Sequence, residues 1–479
     1  MTGVGVIQDT ESLADKVERV FRGLVIDKRR LPASQLQKRG VPAYVGEWLL
    51  DTLVPGRGEL TTEEAQKVRD WAAKYVPGPN DQQVIKHRLL QGETIKVLTP
   101  VQVEVNLNRG TRYAKLSLLG IDSAAICDEL PSIYPDLLRQ GMWGVVELLS
   151  TSDGVAIQSF RPMQATVNIH LYKEARSAFT LDEWLRLMLL SMGYAPEFFT
   201  APEQLLMLAR LLPLVQKNLH LVELAPKATG KSYFFENISS RVRLVSGGNV
   251  TPAVLFVNNA TGQWGLLARY AVVVLDEVQT LKFEKPEEII GGLKGYLANG
   301  RLTRGGLYET SSDCSFVLLA NIQLDENQQP IVRNSLVEHL PPFMRETAFL
   351  DRIKGLLPGW RIRKLSKEAF ANSVGLKADF FGDALLALRE DLEIDQYCAR
   401  RVRIRGARPY ARNEVAIQAL ASGMMKVLFP HGNLTDWEFE HYCVRPAVEL
   451  RQLIWDELYQ LDAEYRQWDR QIEYEILKI

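Results

Sequence analysis

Residues 219–232 read LHLVELAPKATGKS, an apolar run that ends in a Thr-Gly-Lys-Ser turn and leads into a helical pattern. A strand, a glycine-containing loop and a helix in this order are typical of a phosphate-binding loop, because the loop N–H groups and the helix N-terminus converge on phosphate oxygens. The stretch therefore predicts a nucleotide site. Its expected residues are Pro226, Thr229, Gly230, Lys231 and Ser232.

Each polar residue of this loop has an expected role. Lys231 would neutralise the β- and γ-phosphates, Ser232 would offer its hydroxyl to Mg²⁺, and Gly230 would allow the backbone to approach closely. Two positions that often carry glycine in such loops are Ala225 and Ala228 here. We expect a somewhat stiffer loop, and the pattern leaves the turnover rate open.

A second motif follows about forty-five residues later, at AVVVLDE, residues 271–277. A continuous apolar run suits a central parallel strand covered on both faces, and α/β folds place ligands at the carboxyl ends of such strands. We expect Asp276 to hold Mg²⁺ together with Ser232, and Glu277 to polarise the attacking water. Either motif alone also occurs in ordinary loops, but both in this order predict an enzyme that hydrolyses ATP with Mg²⁺.

Four further residues are candidates for the same chemistry. The apolar strand at 315–320 ends in Asn321, which would sense the γ-phosphate and orient water. Arg352 is the candidate arginine finger supplied across a subunit boundary, with Arg345 as the reserve. Arg412 opens a helical pattern and is expected to reach the nucleotide from a helical lid.

Composition excludes several classes of protein without choosing a function. The 479 residues have a formal net charge of −1, are 46% hydrophobic and 24% charged, and so suit a soluble globular protein of about three domains. The four cysteines are far apart and lack a zinc-ligand spacing, which favours a reducing compartment. Without an apolar run long enough to span a bilayer, we expect a cytoplasmic protein that makes no membrane contact.

Composition shifts along the chain predict an α/β fold with added parts. Alternating apolar residues near Val101, Val103 and Val105 predict strands of a small β-barrel resembling an OB fold. The expected organisation is a mostly helical, DNA-binding segment at 1–78, the β-rich domain at 79–175, the ATPase core at 176–365, a helical lid at 366–435 and a C-terminal helical segment at 436–479.

Two basic features are candidates for DNA contact. Between residues 16 and 39 eight basic residues accompany two acids, and Lys28, Arg29 and Arg30 are adjacent there. A solvated helix face explains this charge equally well. Arg301 and Arg304 lie in the predicted hairpin NGRLTRGG, residues 299–306, where we expect a pore loop that grips a phosphate backbone, although a solvent-exposed turn is the alternative.

Longer stretches resemble the BrxL family, the Lon-related AAA+ ATPases of BREX phage-defence systems. The resemblance is carried by ELAPKATGKSYFFENIS, SGGNVTPAVLFVNNATG, VVVLDEV, NGRLTRGG, DRIKGLLPGW and SGMMKVLFP. It implies a ring-forming AAA+ ATPase, expected to be a hexamer, with a core similar to that of MCM helicases and a DNA-engaging N-terminal region. It also implies a role in restricting phage DNA, with other BREX proteins as possible partners.

One departure from the family affects the expected activity. Family members typically continue into a Lon-protease-like domain, whereas this sequence stops at Ile479, and no Ser-Lys peptidase site can be placed in its last segment. We therefore expect no peptidase activity. Two alternatives to a DNA motor stay open: a protein-remodelling ATPase, for which Leu307-Tyr308 is the nearest pore-loop candidate, and a nucleotide-gated DNA-binding scaffold that hydrolyses ATP rarely.

Overall fold

The computed structural model describes residues 11–107, 110–163, 167–304 and 308–478. The first part of the chain is helical. Its elements are α1 (Leu13–Val20), β1 (Val25–Asp27), α2 (Arg30–Ser34), α3 (Ala43–Leu53), α4 (Thr62–Tyr75) and α5 (Gln82–Leu90). A capping box at Thr61 and Glu64 starts α4, because each side chain accepts the other residue's backbone N–H.

A small β-barrel follows the helical part. Its elements are β2 (Ile95–Asn106), β3 (Thr111–Leu116), β4 (Ile121–Ala125), α6 (Leu130–Ile133), β5 (Met142–Thr151) and β6 (Gly154–Pro162). The five strands close in the order β2-β3-β4-β6-β5. Val101 and Val103 are buried in the barrel while their neighbours are more exposed, as alternation along a half-buried strand requires. The small barrel expected from the sequence is confirmed.

A parallel sheet and its surrounding helices form the next part. The elements are α7 (Ile169–Arg176), α8 (Leu181–Ser191), α9 (Ala201–Ala209), α10 (Leu212–Val215), β7 (Leu221–Ala225), α11 (Lys231–Asn237), β8 (Val242–Ser246), β9 (Asn249–Val250), α12 (Pro252–Leu255), α13 (Leu266–Arg269), β10 (Val272–Asp276), β11 (Lys282–Phe283), α14 (Pro286–Asn299), β12 (Arg301–Arg304), β13 (Tyr308–Ser311), β14 (Ser315–Asn321), α15 (Thr347–Leu350) and β15 (Gly355–Pro358).

The strand order of this sheet positions the site. Five parallel strands lie in the order β15-β7-β14-β10-β8, so β14 separates the strand that leads into the phosphate loop from the strand that carries the acids. All five residues of β7 and of β10 are buried, as expected for central strands covered on both faces. The predicted α/β class is confirmed.

The last part of the chain packs onto the sheet. Its elements are β16 (Val374–Leu376), α16 (Ala378–Ala387), α17 (Leu392–Arg401), β17 (Val402–Arg405), α18 (Ala411–Leu428), α19 (Asp436–Glu438), α20 (Arg445–Leu461) and β18 (Glu473–Ile476). β16 pairs with β1, and α20 packs against β15 and α18. The segment expected to be helical after residue 436 also contains β18, which pairs antiparallel with β17.

The lid and the domain boundaries stay predictions, although helices α16 to α18 do occupy the region expected to be a lid. Among the described residues, no helix combines the length and the apolarity that crossing a bilayer requires.

Candidate nucleotide site

The loop between β7 and α11 has the geometry of a phosphate cradle. Gly230 has φ +77°, and a Cβ at this position would lie 2.5 Å from the hydroxyl oxygen of Tyr194 and 2.7 Å from a methyl of Leu365. Both the backbone angle and the space therefore require glycine. Ala228 has φ +66°, a left-handed conformation in which a Cβ is strained, so the loop adopts the glycine-type shape with an alanine.

The predicted phosphate-binding lysine and two predicted catalytic residues form one hydrogen-bonded chain at the carboxyl edge of the sheet. Lys231 Nζ donates to Asn321 Oδ1 at 2.7 Å, and Asn321 Nδ2 donates to Glu277 Oε1 at 3.0 Å. The backbone N–H of Glu277 donates to Asp276 Oδ1 at 2.9 Å. The structure thus brings together the amine of the phosphate loop with the amide and the two acids that sequence reasoning placed at the ends of two strands.

Electrostatics around Lys231 suit an anionic ligand. Burial lowers the pKa of Lys231, while the charges of Glu223 and Asp276 act in the opposite direction. Lys231 is only 5% exposed, and its ammonium group donates one hydrogen bond, to Asn321. Phosphate oxygens would accept from its remaining N–H groups.

The oxygen ligands near this loop suit Mg²⁺. Ser232 lies in the first turn of α11 and Asp276 ends β10, and both present oxygen, the donor that Mg²⁺ prefers. No group of three His, Cys, Asp or Glu side chains in the described ranges forms a metal-binding cluster. Magnesium is usually held by one or two carboxylates together with substrate phosphates and waters, so such a cluster is not required. Thr229 and Pro226 complete the loop, with Thr229 Oγ1 donating to Pro226 O at 3.3 Å.

Two of the candidate arginines, Arg352 and Arg412, lie at the amino edge of the sheet, where its parallel strands begin. Gly355 at the start of β15 is in register with Leu221 at the start of β7, and Arg352 precedes Gly355. The phosphate loop follows Ala225, four strand steps or about 13 Å further along. Arg352 is therefore not brought together with the loop of its own chain.

Arg412 is held near the same edge through the buried carboxylate of Asp351, the residue that precedes Arg352 in the chain. Arg412 forms an ion pair with Asp351, and Arg451 pairs with the same carboxylate at 3.2 Å. Arg412 thus lies at the same edge as Arg352, and its contact with a nucleotide stays a prediction. Arg345 donates through Nε to Leu340 O at 2.7 Å.

The structure corrects the prediction that the basic cluster near residue 29 contacts DNA. Lys28 donates to both carboxylate oxygens of Glu47 at 2.8 Å with 4% of its side chain exposed, and Arg30 pairs with Glu64 at 2.9 Å with 3% exposed. The prediction that these two cations contact DNA is therefore wrong, since neither reaches the surface. Arg29 pairs with Asp27 but is 39% exposed, so its contact with DNA stays a prediction.

The hairpin expected at residues 299–306 is present as β12 and β13. Arg301 is 66% exposed and lies 3.6 Å from Glu309, a loose surface ion pair. The side chain of Arg304 and the residues 305–307, including Leu307, lie outside the described part of the chain. The hairpin connects α14, which follows the acid-bearing strand, to β14, which carries Asn321.

Comparison with known proteins gives two similar relatives. A Lon-like protease BrxL of Escherichia coli O9:H4 (strain HS) is 28% identical over 453 residues, covering 92% of this chain and 64% of that protein. A Lon-like protease BrxL of Bacillus cereus (strain H3081.97) is 29% identical over 436 residues, covering 88% and 63%. The chain thus spans a little under two thirds of the length of both relatives.

Among solved structures, a full-length MCM homolog from Methanopyrus kandleri is similar over 84% of this chain and 95% of that chain, with 12% identity and a TM-score of 0.36. At that score the likeness carries no argument, and the fold rests on the strand order described above.

Two family descriptions match the sequence: the N-terminal part of the BREX system Lon protease-like protein BrxL at residues 19–149, and the ATPase domain of Lon-like protease BrxL-like proteins at residues 155–471. Since the second match alone covers more than half of the chain, this protein belongs to the BrxL family.

Proposed function

We propose that this chain is an ATPase of BREX phage defence that works as a ring on DNA. The observation that carries the proposal is the hydrogen-bonded chain from Lys231 through Asn321 to Glu277, next to a phosphate loop. These three groups lie where a γ-phosphate, its attacking water and the acid that activates the water would meet.

Each residue then has a defined task. The loop N–H groups and Lys231 bind the β- and γ-phosphates, while Ser232 and Asp276 hold Mg²⁺, which when bound neutralises charge on the phosphate oxygens. Glu277 orients the attacking water and accepts its proton. Asn321 hydrogen-bonds both Lys231 and Glu277. Its amide N–H can instead donate to the γ-phosphate, so its hydrogen bonds depend on whether that phosphate is bound.

The position of Arg352 and Arg412 favours a site completed by a neighbouring subunit. Both arginines lie at the amino edge of the sheet, whereas the phosphate loop lies at the carboxyl edge. A heterologous ring, expected to be hexameric, brings one edge of each subunit against the other edge of the next. Arginines supplied in this way stabilise transition-state charge and raise hydrolysis by roughly 10³–10⁵ where they act as fingers.

A subunit-mixing experiment tests this arrangement. Lys231→Ala removes the phosphate contact and Arg352→Ala removes the finger, so each variant alone should be inactive. In randomly mixed rings roughly one quarter of the sites pair an intact loop with an intact arginine, and about that fraction of wild-type hydrolysis should return. If the mixture stays as inactive as either variant, the arginine does not act across a boundary.

DNA is the proposed substrate because of the exposed hairpin. Arg301 lies on the segment between α14 and β14, so a change at Asn321 can be passed along one strand to the hairpin. Neutralising phosphates with exposed arginines gives sequence-independent binding that weakens with salt. Arg304 and Arg29 are proposed to add to this contact.

ATP hydrolysis by the purified protein, with and without duplex and single-stranded DNA, is the deciding measurement. The proposal predicts hydrolysis that DNA stimulates and that Lys231→Ala abolishes. Stimulation by an unfolded protein instead of DNA would favour a protein-remodelling ATPase, and nucleotide binding without turnover would favour a scaffold.

A charge reversal separates DNA contact from basal hydrolysis. Arg301→Glu should abolish stimulation by DNA and leave basal turnover unchanged. The matched control is Arg470→Glu, since Arg470 is 68% exposed and lies 3.5 Å from Asp456, almost the same setting as Arg301 with Glu309. Stimulation that survives Arg301→Glu would remove the hairpin from the DNA path.

A further inference from the structure

Three consecutive carbonyl groups of the phosphate loop accept hydrogen bonds from outside the loop. The backbone N–H of Leu365 donates to Ala228 O at 2.8 Å. Arg210 Nη1 donates to Thr229 O at 3.0 Å, and the hydroxyl of Tyr194 donates to Gly230 O at 3.0 Å. The donors come from three separate segments of the chain, so residues 228–230 of the loop are anchored from outside.

This pattern fixes the direction of the opposite peptide groups. In a planar trans peptide the C=O of one residue and the N–H of the next point in opposite directions. Carbonyls that are held outward at residues 228, 229 and 230 therefore turn the N–H groups of residues 229, 230 and 231 inward. These N–H groups are the ones that a phosphate-binding loop offers to its ligand.

One of the three donors is a buried charge with its own counter-ion. The side chain of Arg210 is fully buried, and it pairs at 2.6 Å with Glu223, whose side chain is 4% exposed. Glu223 lies in the middle of β7, the strand that leads into the loop. A buried ion pair in the core is weak evidence for stability, because desolvation offsets much of its attraction.

The neighbouring strand makes room for this pair. Gly359 follows β15, and a Cβ there would lie 2.8 Å from Glu223 Oε1 and 2.5 Å from the Cβ of Ala225. Glycine is therefore needed at residue 359 for space rather than for backbone freedom. The missing side chain at Gly359 thus leaves space for the ion pair between Arg210 and Glu223. Arg210 in turn hydrogen-bonds the carbonyl of Thr229 in the phosphate loop.

We propose that Arg210 and Tyr194 are positioning residues that hold the phosphate loop in its ligand-binding shape before nucleotide arrives. The inference rests on the proposed nucleotide site and deepens it. Ala228 adopts the left-handed conformation that glycine adopts freely, so the loop needs outside support to keep that shape. Binding to a preformed loop avoids the entropy of ordering it, which raises the affinity for the nucleotide.

The decisive variant removes the pair without leaving a buried charge. Arg210→Met combined with Glu223→Leu replaces both partners by apolar side chains, a change that is often neutral for stability. The expected result is a melting temperature within a few degrees of wild type and a dissociation constant for the fluorescent mant derivative of ATP with Mg²⁺ that is about tenfold higher. The KM for ATP should rise in parallel, with kcat changed less than about threefold.

Tyr194→Phe provides a second test if the double variant fails to fold. It deletes one hydroxyl and should weaken binding of the mant derivative about fivefold. Its matched control is Tyr172→Phe, since Tyr172 is equally buried but its hydroxyl donates to Met188 Sδ, away from the loop. An unchanged dissociation constant in Tyr194→Phe, or in a folded double variant, would overturn the inference.

The wild-type protein separates this inference from the proposed function. If wild type binds the mant derivative and Lys231→Ala does not, the nucleotide site is established and the variants test only the loop support. If wild type itself binds no nucleotide, the proposed function fails and this inference fails with it.

Discussion

Replacing Asp351 by Asn tests whether a buried carboxylate stabilises the amino edge of the sheet, where Arg352 and Arg412 lie. The carboxylate of Asp351 is fully buried and accepts from Arg451 at 3.2 Å, from Tyr410 at 2.9 Å and from Arg412. Asparagine has nearly the same shape but removes the negative charge that faces the fully buried guanidinium of Arg451. The variant therefore removes the charge together with one of the two acceptor oxygens, because the amide NH2 group cannot accept a hydrogen bond.

The structure sets the expected size of the effect. Removing one partner of a buried pair destabilises a protein by about 3–5 kcal/mol, since the other charge is left uncompensated. Arg451 keeps two strong acceptors, Ile353 O at 2.5 Å and Asn413 Oδ1 at 2.8 Å, so the lower end applies. We expect Asp351→Asn to lower the free energy of unfolding by about 3 kcal/mol, roughly a hundredfold in the unfolding constant.

Urea unfolding followed by tryptophan fluorescence is a suitable assay, because Trp455 stacks on Tyr410 at 4.9 Å beside the cluster. The control is Arg412→Ala. Arg412 is 53% exposed, so its loss should lower the free energy of unfolding by less than about 1 kcal/mol while still reducing ATP hydrolysis. A loss below 1 kcal/mol in Asp351→Asn, or an equal loss in both variants, would refute the argument.

Two further predictions concern the site itself, and a third concerns Glu203 in the first turn of α9. Glu277→Gln should lower ATP hydrolysis by roughly 10²–10⁴-fold and leave nucleotide binding intact, as steady-state assays and mant-ATP titration can check. Gly230→Ala should abolish binding of mant-ATP, because the new Cβ would lie 2.5 Å from the Tyr194 hydroxyl. Burial acts to raise the pKa of Glu203, but hydrogen bonds from Arg363 and the local backbone outweigh it and lower the pKa to about 2. The carboxylate therefore stabilises the fold fully above pH 4.5 and loses that effect as the pH falls toward 2. Urea unfolding should show that wild type is more stable than Glu203→Gln at pH 6 and that the difference shrinks in acid.

The sheet and the small barrel were predictable from sequence because their hydrophobic patterns are strong. A central parallel strand is covered on both faces, so β7 and β10 appear as continuous apolar runs. The barrel strand β2 alternates because one face is buried. Asn321 was a candidate because it is the polar residue at the tip of the apolar strand that follows the acid-bearing strand, and its role stays a prediction.

The fates of the charged residues were not predictable, since a count of charges does not reveal partners that lie far away in sequence. Lys28 is neutralised by Glu47 and Arg30 by Glu64, and both cations are buried where α2, α3 and α4 pack together. Glu223 was the visible signal of the loop support, because an acid inside an apolar strand needs a buried cation. Nothing in the sequence pointed to Arg210 as that cation.

The two edges of the sheet differ in how their charges are held, and that difference bears on function. At the carboxyl edge Lys231 hydrogen-bonds Asn321, which also hydrogen-bonds Glu277. A phosphate can replace these hydrogen bonds one at a time. At the amino edge Asp351 is fixed from three sides, so Arg412 extends from a rigid base. A rigid arginine loses little freedom when it meets a charged partner, whereas an adaptable phosphate site can respond to its ligand. Rigid donors on one edge and a responsive acceptor on the other are what the proposed heterologous ring needs, because each subunit would then contact the nucleotide of the next.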